Sequence, residues 1–392
     1  KNLYERIKRD RKMKILHVIS SMDPRGGGPS EGIRQLRKAL PSYGVESEVV
    51  CCDQPGADWV HTSGMKVHAL GKGKSSYCYS DSLSLWLKQN VQNYDRVIIH
   101  GLWQYHGLAA MNACLKRGVP YHVYTHGMLD PWFKKTYPLK HLKKWLYWPW
   151  AEYRVLKNAR SVIFTCEEER RLARESFWLY RVNETVTSYG TATPPQDADG
   201  LSAIFADAFS DLAGRRFVLF LSRIHEKKGC DLLIQAFAKV AAQDPGLQLA
   251  IAGPDQTGLK AKLQALAESH GIAHRIHWLG MLSGDLKWGA FHASEAFILP
   301  SHQENFGIVV AEALGCGKPV LMSNKVNIWR EIEADKAGIV ANDDLAGTES
   351  LLTKWIAMSN EERRVMSENA ISCFTNRFTV DAMANSLVKI IS

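Results

Sequence analysis

Short apolar runs rich in β-branched residues alternate along the chain with stretches whose apolar positions recur at helical spacing. The first half holds KILHVIS (14–20), SEVVCC (47–52), MKVHAL (65–70), RVIIHG (96–101), PYHVYTHG (120–127), SVIFT (161–165) and TVTSYG (185–190). The second half resumes with RFVLFLS (216–222), LQLAIAG (247–253), RIHWLG (275–280), EAFILPS (295–301), KPVLMS (318–323) and GIVAN (338–342). Between the first two of these, Leu232, Leu233, Ala236, Phe237 and Val240 fall on one helix face. Such runs, bounded by turn residues and separated by helices, predict parallel strands joined by βαβ crossovers. The paired prolines and polar residues of TATPPQDADG (191–200) interrupt the rhythm. Two doubly wound α/β domains are predicted, over 13–190 and 216–374, with 191–215 as the linker. No repeat of solenoid or propeller period occurs, and the polar, basic residues 1–12 are left outside the fold.

Composition narrows the functional classes. The chain has 392 residues, 46% hydrophobic and 23% charged, as an ordinary folded protein does. No apolar run approaches the ~18 residues of a bilayer span and no signal-peptide core is visible, so a cytoplasmic protein is expected. Eight cysteines are scattered without a C-x-x-C pair or a His/Cys cluster, which argues against a zinc site and a disulfide framework. Charge is uneven: residues 1–200 carry 30 basic and 19 acidic side chains, a net +11, whereas 201–392 carry a net −2. The first half is therefore expected to meet an anionic partner.

In open parallel sheets the ligand site lies beyond the carboxyl ends of the strands, which selects the loops to inspect. Arg223 and Lys228 share one strand-to-helix loop, with Gly229 letting the chain turn, and a planar fork beside a point charge suits a diphosphate without a divalent ion. Glu304 and Glu312, with seven residues between them, stand where another loop enters a helix. Glu304 can accept from sugar hydroxyls, Glu312 can grip a ribose diol, and the amides of Phe306, Gly307 and Ile308 are helix-start donors able to meet a phosphate. In the first half, Gly26-Gly27-Gly28 follows the first strand, and His100 and Trp103 follow the fourth. His126 stands in His126-Gly127-Met128-Leu129-Asp130. His17, inside the first strand, reads as a core residue satisfied locally. The segment Trp132 to Trp150 sets five lysines among aromatics, a composition suited to a membrane interface.

The order Arg223-x4-Lys228-Gly229, Gly253 after a strand, Trp278-Leu-Gly280, Glu304-x7-Glu312 and Gly315-x-Gly317-x-Pro319-Val320 resembles the retaining GT-B glycosyltransferases of family 4. Gly26-Gly27-Gly28-Pro29 and His126 to Trp132 extend the resemblance, the latter to a segment of exopolysaccharide members. It implies two Rossmann-like domains facing across a cleft, a nucleotide sugar held chiefly by the second, and a C-terminal helix over 375–392 returning to the first domain. On this resemblance Arg223 and Lys228 neutralise the diphosphate, Glu312 holds the ribose, the backbone at Met281 meets the base, and Gly253 is among the donor-binding residues. Glu304 binds sugar hydroxyls, the Asn305-Phe306-Gly307-Ile308 amides meet phosphate or sugar, and Gly27 and Gly28 close on the phosphates. His126 borders the reacting anomeric carbon. Asn305 departs from the small residue or glycine of many members.

The implied reaction is retaining transfer of a hexose to a glycan or lipid-linked acceptor in polysaccharide biosynthesis. UDP-glucose is the favoured donor and GDP-mannose the next, with no metal or other cofactor. His100, Trp103 and Asp130 are acceptor candidates, and peripheral contact with an anionic membrane is expected through the first domain, with no nucleic acid partner. Two alternatives stay open: a nucleotide-sugar epimerase of the same fold, and an NAD(P)-dependent oxidoreductase, although Gly26-Gly-Gly28-Pro-Ser-Glu31 lacks the last glycine of G-x-G-x-x-G.

Overall fold

The computed structural model describes residues 12–26, 28–62, 64–136 and 138–392. Among these, thirteen strands form two sheets in which every neighbouring pair is parallel. The first comprises β1 (Met13–Val18), β2 (Val45–Cys51), β3 (Lys66–Ala69), β4 (Arg96–His100), β5 (Tyr121–Tyr124), β6 (Ser161–Phe164) and β7 (Glu184–Val186). The second comprises β8 (Phe217–Leu221), β9 (Gln248–Ala252), β10 (Ile276–Gly280), β11 (Ala296–Leu299), β12 (Val320–Ser323) and β13 (Gly338–Ala341). β5, β9, β11 and β12 are buried at every position, because helices cover both faces of a parallel sheet and no strand residue is left facing water. All thirteen apolar runs become strands, trimmed at their ends: the run 185–190 is a strand only to Val186.

Strand order is β3-β2-β1-β4-β5-β6-β7 in one sheet and β10-β9-β8-β11-β12-β13 in the other. Each reverses its direction of winding once, between β1 and β4 and between β8 and β11. Crossovers leave such a point on opposite faces, so the loops at the strand ends part and a crevice opens there.

The chain divides into two compact units, residues 1–190 with 380–392 and residues 191–379. The stretch 191–215 is not a linker. It contains the helix Ala198–Ala208, capped by Asp197, which buries Leu201 and Phe205 and packs on the helix Gly284–Ala293. The approach is so close that a Cβ on Gly289 would lie 2.3 Å from the Leu201 carbonyl oxygen. The prolines break the chain only locally, and the apolar face after them holds the segment on the second unit. Phe374–Phe378 also stays with that unit as a π-turn, so the last helix begins at Val380 rather than at 375. On the helix Cys230–Val240 the buried face uses Ile234 in place of Leu232, which is only half-buried.

The helix Val380–Ile391 groups with the first unit. It buries Met383, Ala384, Leu387 and Ile391 against the helix Gly28–Ala39 and the turn Leu40–Tyr43. Tyr43 donates to Asp381 at 2.8 Å and Arg96 Nε to the Ile391 carbonyl at 2.7 Å. Leu387→Ala leaves a cavity under this helix and should cost about 2–5 kcal/mol. Calorimetry should place the loss in a transition of the first unit; an unchanged melting profile would mean that the helix contributes nothing to it.

Candidate functional site

In the second unit, the loop after β8 and the loop after β11 are bound to each other. Gly229 has φ +66°, and a Cβ there would fall 2.2 Å from the Pro300 carbonyl oxygen, so glycine is required both by conformation and by closeness. The Lys227 carbonyl accepts from the His302 amide at 2.7 Å and from Ser301 Oγ at 2.9 Å. This seam places buried Lys228 beside Glu304, with which it forms an ion pair. The Glu304 backbone is fixed from the other side: its amide donates to the Lys325 carbonyl at 3.0 Å and its carbonyl accepts from the Asn327 amide at 3.0 Å.

The helix Ile308–Gly315 starts immediately beyond, with Gly307 as its N-cap at φ +74°. Its first amides have no intrahelical acceptor and carry the positive end of the helix dipole. Phe306 is buried edge-on against Phe378, and Asn305 Oδ1 accepts from buried Asn327 at 3.4 Å. Glu312, one face of the helix further on, is buried and takes a 2.6 Å hydrogen bond from Lys287 Nζ. Lys287 stands 4.5 Å over the Trp288 ring.

Arg223 differs from Lys228. It is exposed and makes no ion pair among the described residues, whereas Lys228 is already engaged. Gly253 closes the other wall, with φ +141° and its Cβ position 1.8 Å from the Ser222 carbonyl oxygen. Its amide donates to the Gly280 carbonyl at 2.7 Å, which sets exposed Met281 at the end of β10.

In the first unit, the β1/β4 switch point holds a chain of imidazoles. His17 Nδ1 lies 2.9 Å from His100 Nε2, and His100 Nδ1 lies 3.1 Å from His126 Nε2. His100, Tyr124 and His126 stack with centroids 5.3 Å apart. Burial lowers the pKa of His17 and of His126 from 6.5 to about 3 and that of His100 well below its ordinary value; all three rings are neutral near pH 7. His126 takes a left-handed conformation, φ +49°, which costs energy for a residue with a Cβ. Glu169 holds it there: Oε1 accepts from Thr125 Oγ1 and from the Gly127 amide, both at 2.6 Å, while Oε2 accepts from the Thr165 amide and hydroxyl.

The three acceptor candidates are tied into the unit. His100 is buried within the chain just described. Trp103, at φ +70°, donates its amide to Glu152 at 2.8 Å and its indole to the Met128 carbonyl at 3.2 Å. Asp130 caps the turn before the helix Trp132–Thr136 by accepting from the Trp132 amide at 2.8 Å. Burial raises the Glu152 pKa to about 7. Gly28 begins the helix Gly28–Ala39 and its carbonyl accepts from Tyr189 at 2.9 Å; Gly27 lies outside the described residues. All eight cysteines are free and six are buried. Among the described residues no three His, Cys, Asp or Glu side chains group as metal ligands would.

His17 is the clearest correction: it is buried, as expected, but its partner is His100, 83 residues away, not a local group. Lys287, Glu169 and Glu152 had no sequence signal strong enough to single them out. Glu169 alone was visible in part, as the third of three glutamates opening a helix after a strand.

Residues 27–190 match the family model of the glycosyl transferase 4-like domain, and residues 206–372 match that of glycosyl transferases group 1. The D-inositol 3-phosphate glycosyltransferase of Rhodococcus opacus is 33% identical over 32% of this chain and 29% of its own length. That of Geodermatophilus obscurus is 39% identical over 26% and 25%. The chain thus spans less than a third of either of these curated relatives. Among solved structures, sucrose-phosphate synthase of Thermosynechococcus elongatus superposes with TM-score 0.73 at 18% identity, covering 96% of this chain and 98% of that one. Anabaena HepE, solved in complex with UDP and glucose, gives 0.73 at 17%, covering 96% and 98%. At such identities the likeness is one of fold.

The neutral histidines make stability depend on pH in a stated direction. Below pH 6.5 an unfolded chain takes up a proton at His17, whereas the folded chain does not until about pH 3. The contribution of neutral His17 is therefore whole above pH 6.5 and is lost as the pH falls toward 3, at up to about 1.4 kcal/mol per pH unit. Between pH 6.5 and 5 the parent protein should lose about 2 kcal/mol more than His17→Phe in equilibrium unfolding; equal losses would mean that His17 is not the buried neutral group.

Proposed function

The chain belongs to the GT-B glycosyltransferases of family 4, and from that premise we propose that it is a retaining, metal-independent hexosyltransferase. It moves a hexose from a nucleotide sugar, UDP-glucose before GDP-mannose, to a glycan or lipid-linked glycan in polysaccharide biosynthesis. The observation that carries this reading is the Lys228–Glu304 ion pair at the head of the helix Ile308–Gly315, on the switch point of the second sheet. The UDP and UDP-glucose complexes of HepE support the choice of donor. Both matching family models are glycosyltransferase models, which favours transfer over epimerisation or hydride chemistry.

Each group has work suited to its setting. Free Arg223 meets the diphosphate first, and Lys228 exchanges a carboxylate for a phosphate oxygen. Glu304, released from Lys228, accepts from sugar hydroxyls. The amides of Asn305, Phe306, Gly307 and Ile308 and the helix dipole complete the positive field that other transferases take from a metal ion. Glu312, steadied by Lys287, accepts from the ribose diol, and Gly253 and Met281 border the base. Retention follows if the bond to the leaving phosphate breaks on the face where the acceptor attacks, with that phosphate taking the acceptor's proton. His126 makes a polar contact as positive charge grows at the anomeric carbon.

The acceptor side carries a surface suited to lipid. On the helix Pro138–Tyr147, Leu139 is 80% exposed and Leu142, Trp145 and Leu146 are exposed with it, followed by Trp150 at 76% and Trp178 at 65%. A groove of about 780 Å³ runs beside them, lined by Lys134, His141, Trp145, Arg174, Phe177 and Trp178. Among the described residues no helix is long and apolar enough to cross a membrane. A surface of leucine, tryptophan and lysine lies instead at the lipid interface, at the inner face of the membrane. The parent protein should float with vesicles containing anionic phospholipid and stay behind with neutral ones, and Leu139→Glu/Trp150→Glu should remain in solution; equal flotation of both proteins would remove this surface from the proposal.

Incubation with UDP-glucose should release UDP in EDTA, and proton NMR of the product should show an α-anomeric signal. Inversion, or activity that requires added magnesium, would defeat the assignment. Loss of a charged hydrogen bond costs ~1.5–3 kcal/mol, so Lys228→Ala should weaken UDP binding by roughly 10- to 150-fold. Glu304→Ala should fall mainly in kcat. Because the two side chains are paired, the double variant should cost less than the sum of the single ones; strict additivity would mean that the pair does not act as a unit.

A further inference from the structure

Three neutral imidazoles joined by two hydrogen bonds have only two self-consistent proton arrangements. Each bond needs one N–H and one lone pair, and each neutral ring has one of each. In the first arrangement the protons sit on Nδ1 of His17, His100 and His126. His17 then donates to His100, His100 donates to His126, and His126 Nδ1–H is left at the end of the chain. In the second, all protons sit on Nε2 and all bonds reverse, so that His126 Nδ1 ends the chain as a bare lone pair.

The far end of the chain chooses between them. His17 Nε2 is buried and has no hydrogen-bond partner among the described residues. In the second arrangement it would be a stranded N–H; in the first it is an unused lone pair. Orphaned buried donors are rarer than under-used acceptors. His106 in the same cluster settles the same way: its Nε2 donates to the His100 carbonyl at 2.8 Å, leaving buried Nδ1 as a bare lone pair. Glu169, which holds the His126 turn, does not compete for its proton, because its oxygens are taken by Thr125, Gly127 and Thr165. The rings of His100 and Tyr124 stack on His126, and that of Tyr189 meets it at a steep angle.

We propose that His17 and His100 are positioning residues that fix His126 as an Nδ1–H hydrogen-bond donor, excluding it as a general base. Resting on the glycosyltransferase reading, this gives His126 a defined substrate contact: an oxygen of the transferred sugar, which accepts the Nδ1–H bond. His126 does not take up the acceptor's proton.

The proton positions can be read without turnover. Long-range 1H–15N correlation spectra of histidine-labelled protein, without ligand and near pH 7.5, should give a pyrrole-type Nδ1 and a pyridine-type Nε2 for His126. A pyridine-type Nδ1 would overturn the proposal, whether or not the protein transfers a sugar. His17→Phe removes the donor at the head of the chain while keeping the ring volume, and His17→Asn restores an N–H where Nδ1 was. In UDP release from UDP-glucose, His17→Phe should lower kcat by roughly 2- to 12-fold at unchanged KM, the worth of one neutral hydrogen bond. His17→Asn should recover most of that loss and should keep the parent His126 spectrum. If both variants lose kcat equally and melt at equally lowered temperatures, His17 is only a core residue and the proposal fails. An absence of any UDP release, with the Nδ1–H form present, would count against the transferase reading and leave the proton assignment standing.

Discussion

Crossover helices leave β1 and β4 on opposite faces of the first sheet, and β8 and β11 on opposite faces of the second. The loops at these two points cannot close over the strand ends, so polar groups gather where backbone would otherwise be sealed. The histidine chain occupies one such point and the Lys228–Glu304 pair the other. Both depend on parallel pairing, since only parallel strands present all their carboxyl ends on one edge.

The two points are built on different physics. In the second unit the chemistry is ionic: a buried lysine is held by a half-buried glutamate, and Arg223 on the same loop as the lysine is exposed. A buried charge without a partner is costly, and Glu304 supplies the partner that Lys228 needs. In the first unit the chemistry is neutral. Three rings whose charged forms are suppressed by burial share protons by geometry alone, and a single carboxylate, Glu169, is spent on backbone and threonine donors that hold the His126 turn. The second site is thus built on an ion pair, and the first on neutral rings beside a turn that one carboxylate holds.

Much of this was legible along the chain. Thirteen apolar runs announced thirteen strands, because strands covered by helices on both faces are mostly apolar. Strand polarity selected the loops at the carboxyl ends, and spacing within two short segments singled out Lys228 and Glu304, which the fold brings into one ion pair. Glycines at 229 and 253 were visible as turn formers, though the carbonyls of Pro300 and Ser222 that leave no room for a Cβ were not.

What the linear order withheld were contacts between distant segments. Leu201 and Phe205 drew 191–215 into the second unit, although its prolines read as a break. His17 looked like a core residue because it sits within an apolar strand; its role depends on His100, which β4 brings alongside through pairing with β1. Lys287 reached Glu312, and Glu169 reached Thr125 and Gly127, across 25 and about 40 residues. Hydrophobic periodicity is a local property and determines which segments become strands and helices. Which polar side chains meet is decided by strand order and register, and these exist only once the sheets have assembled.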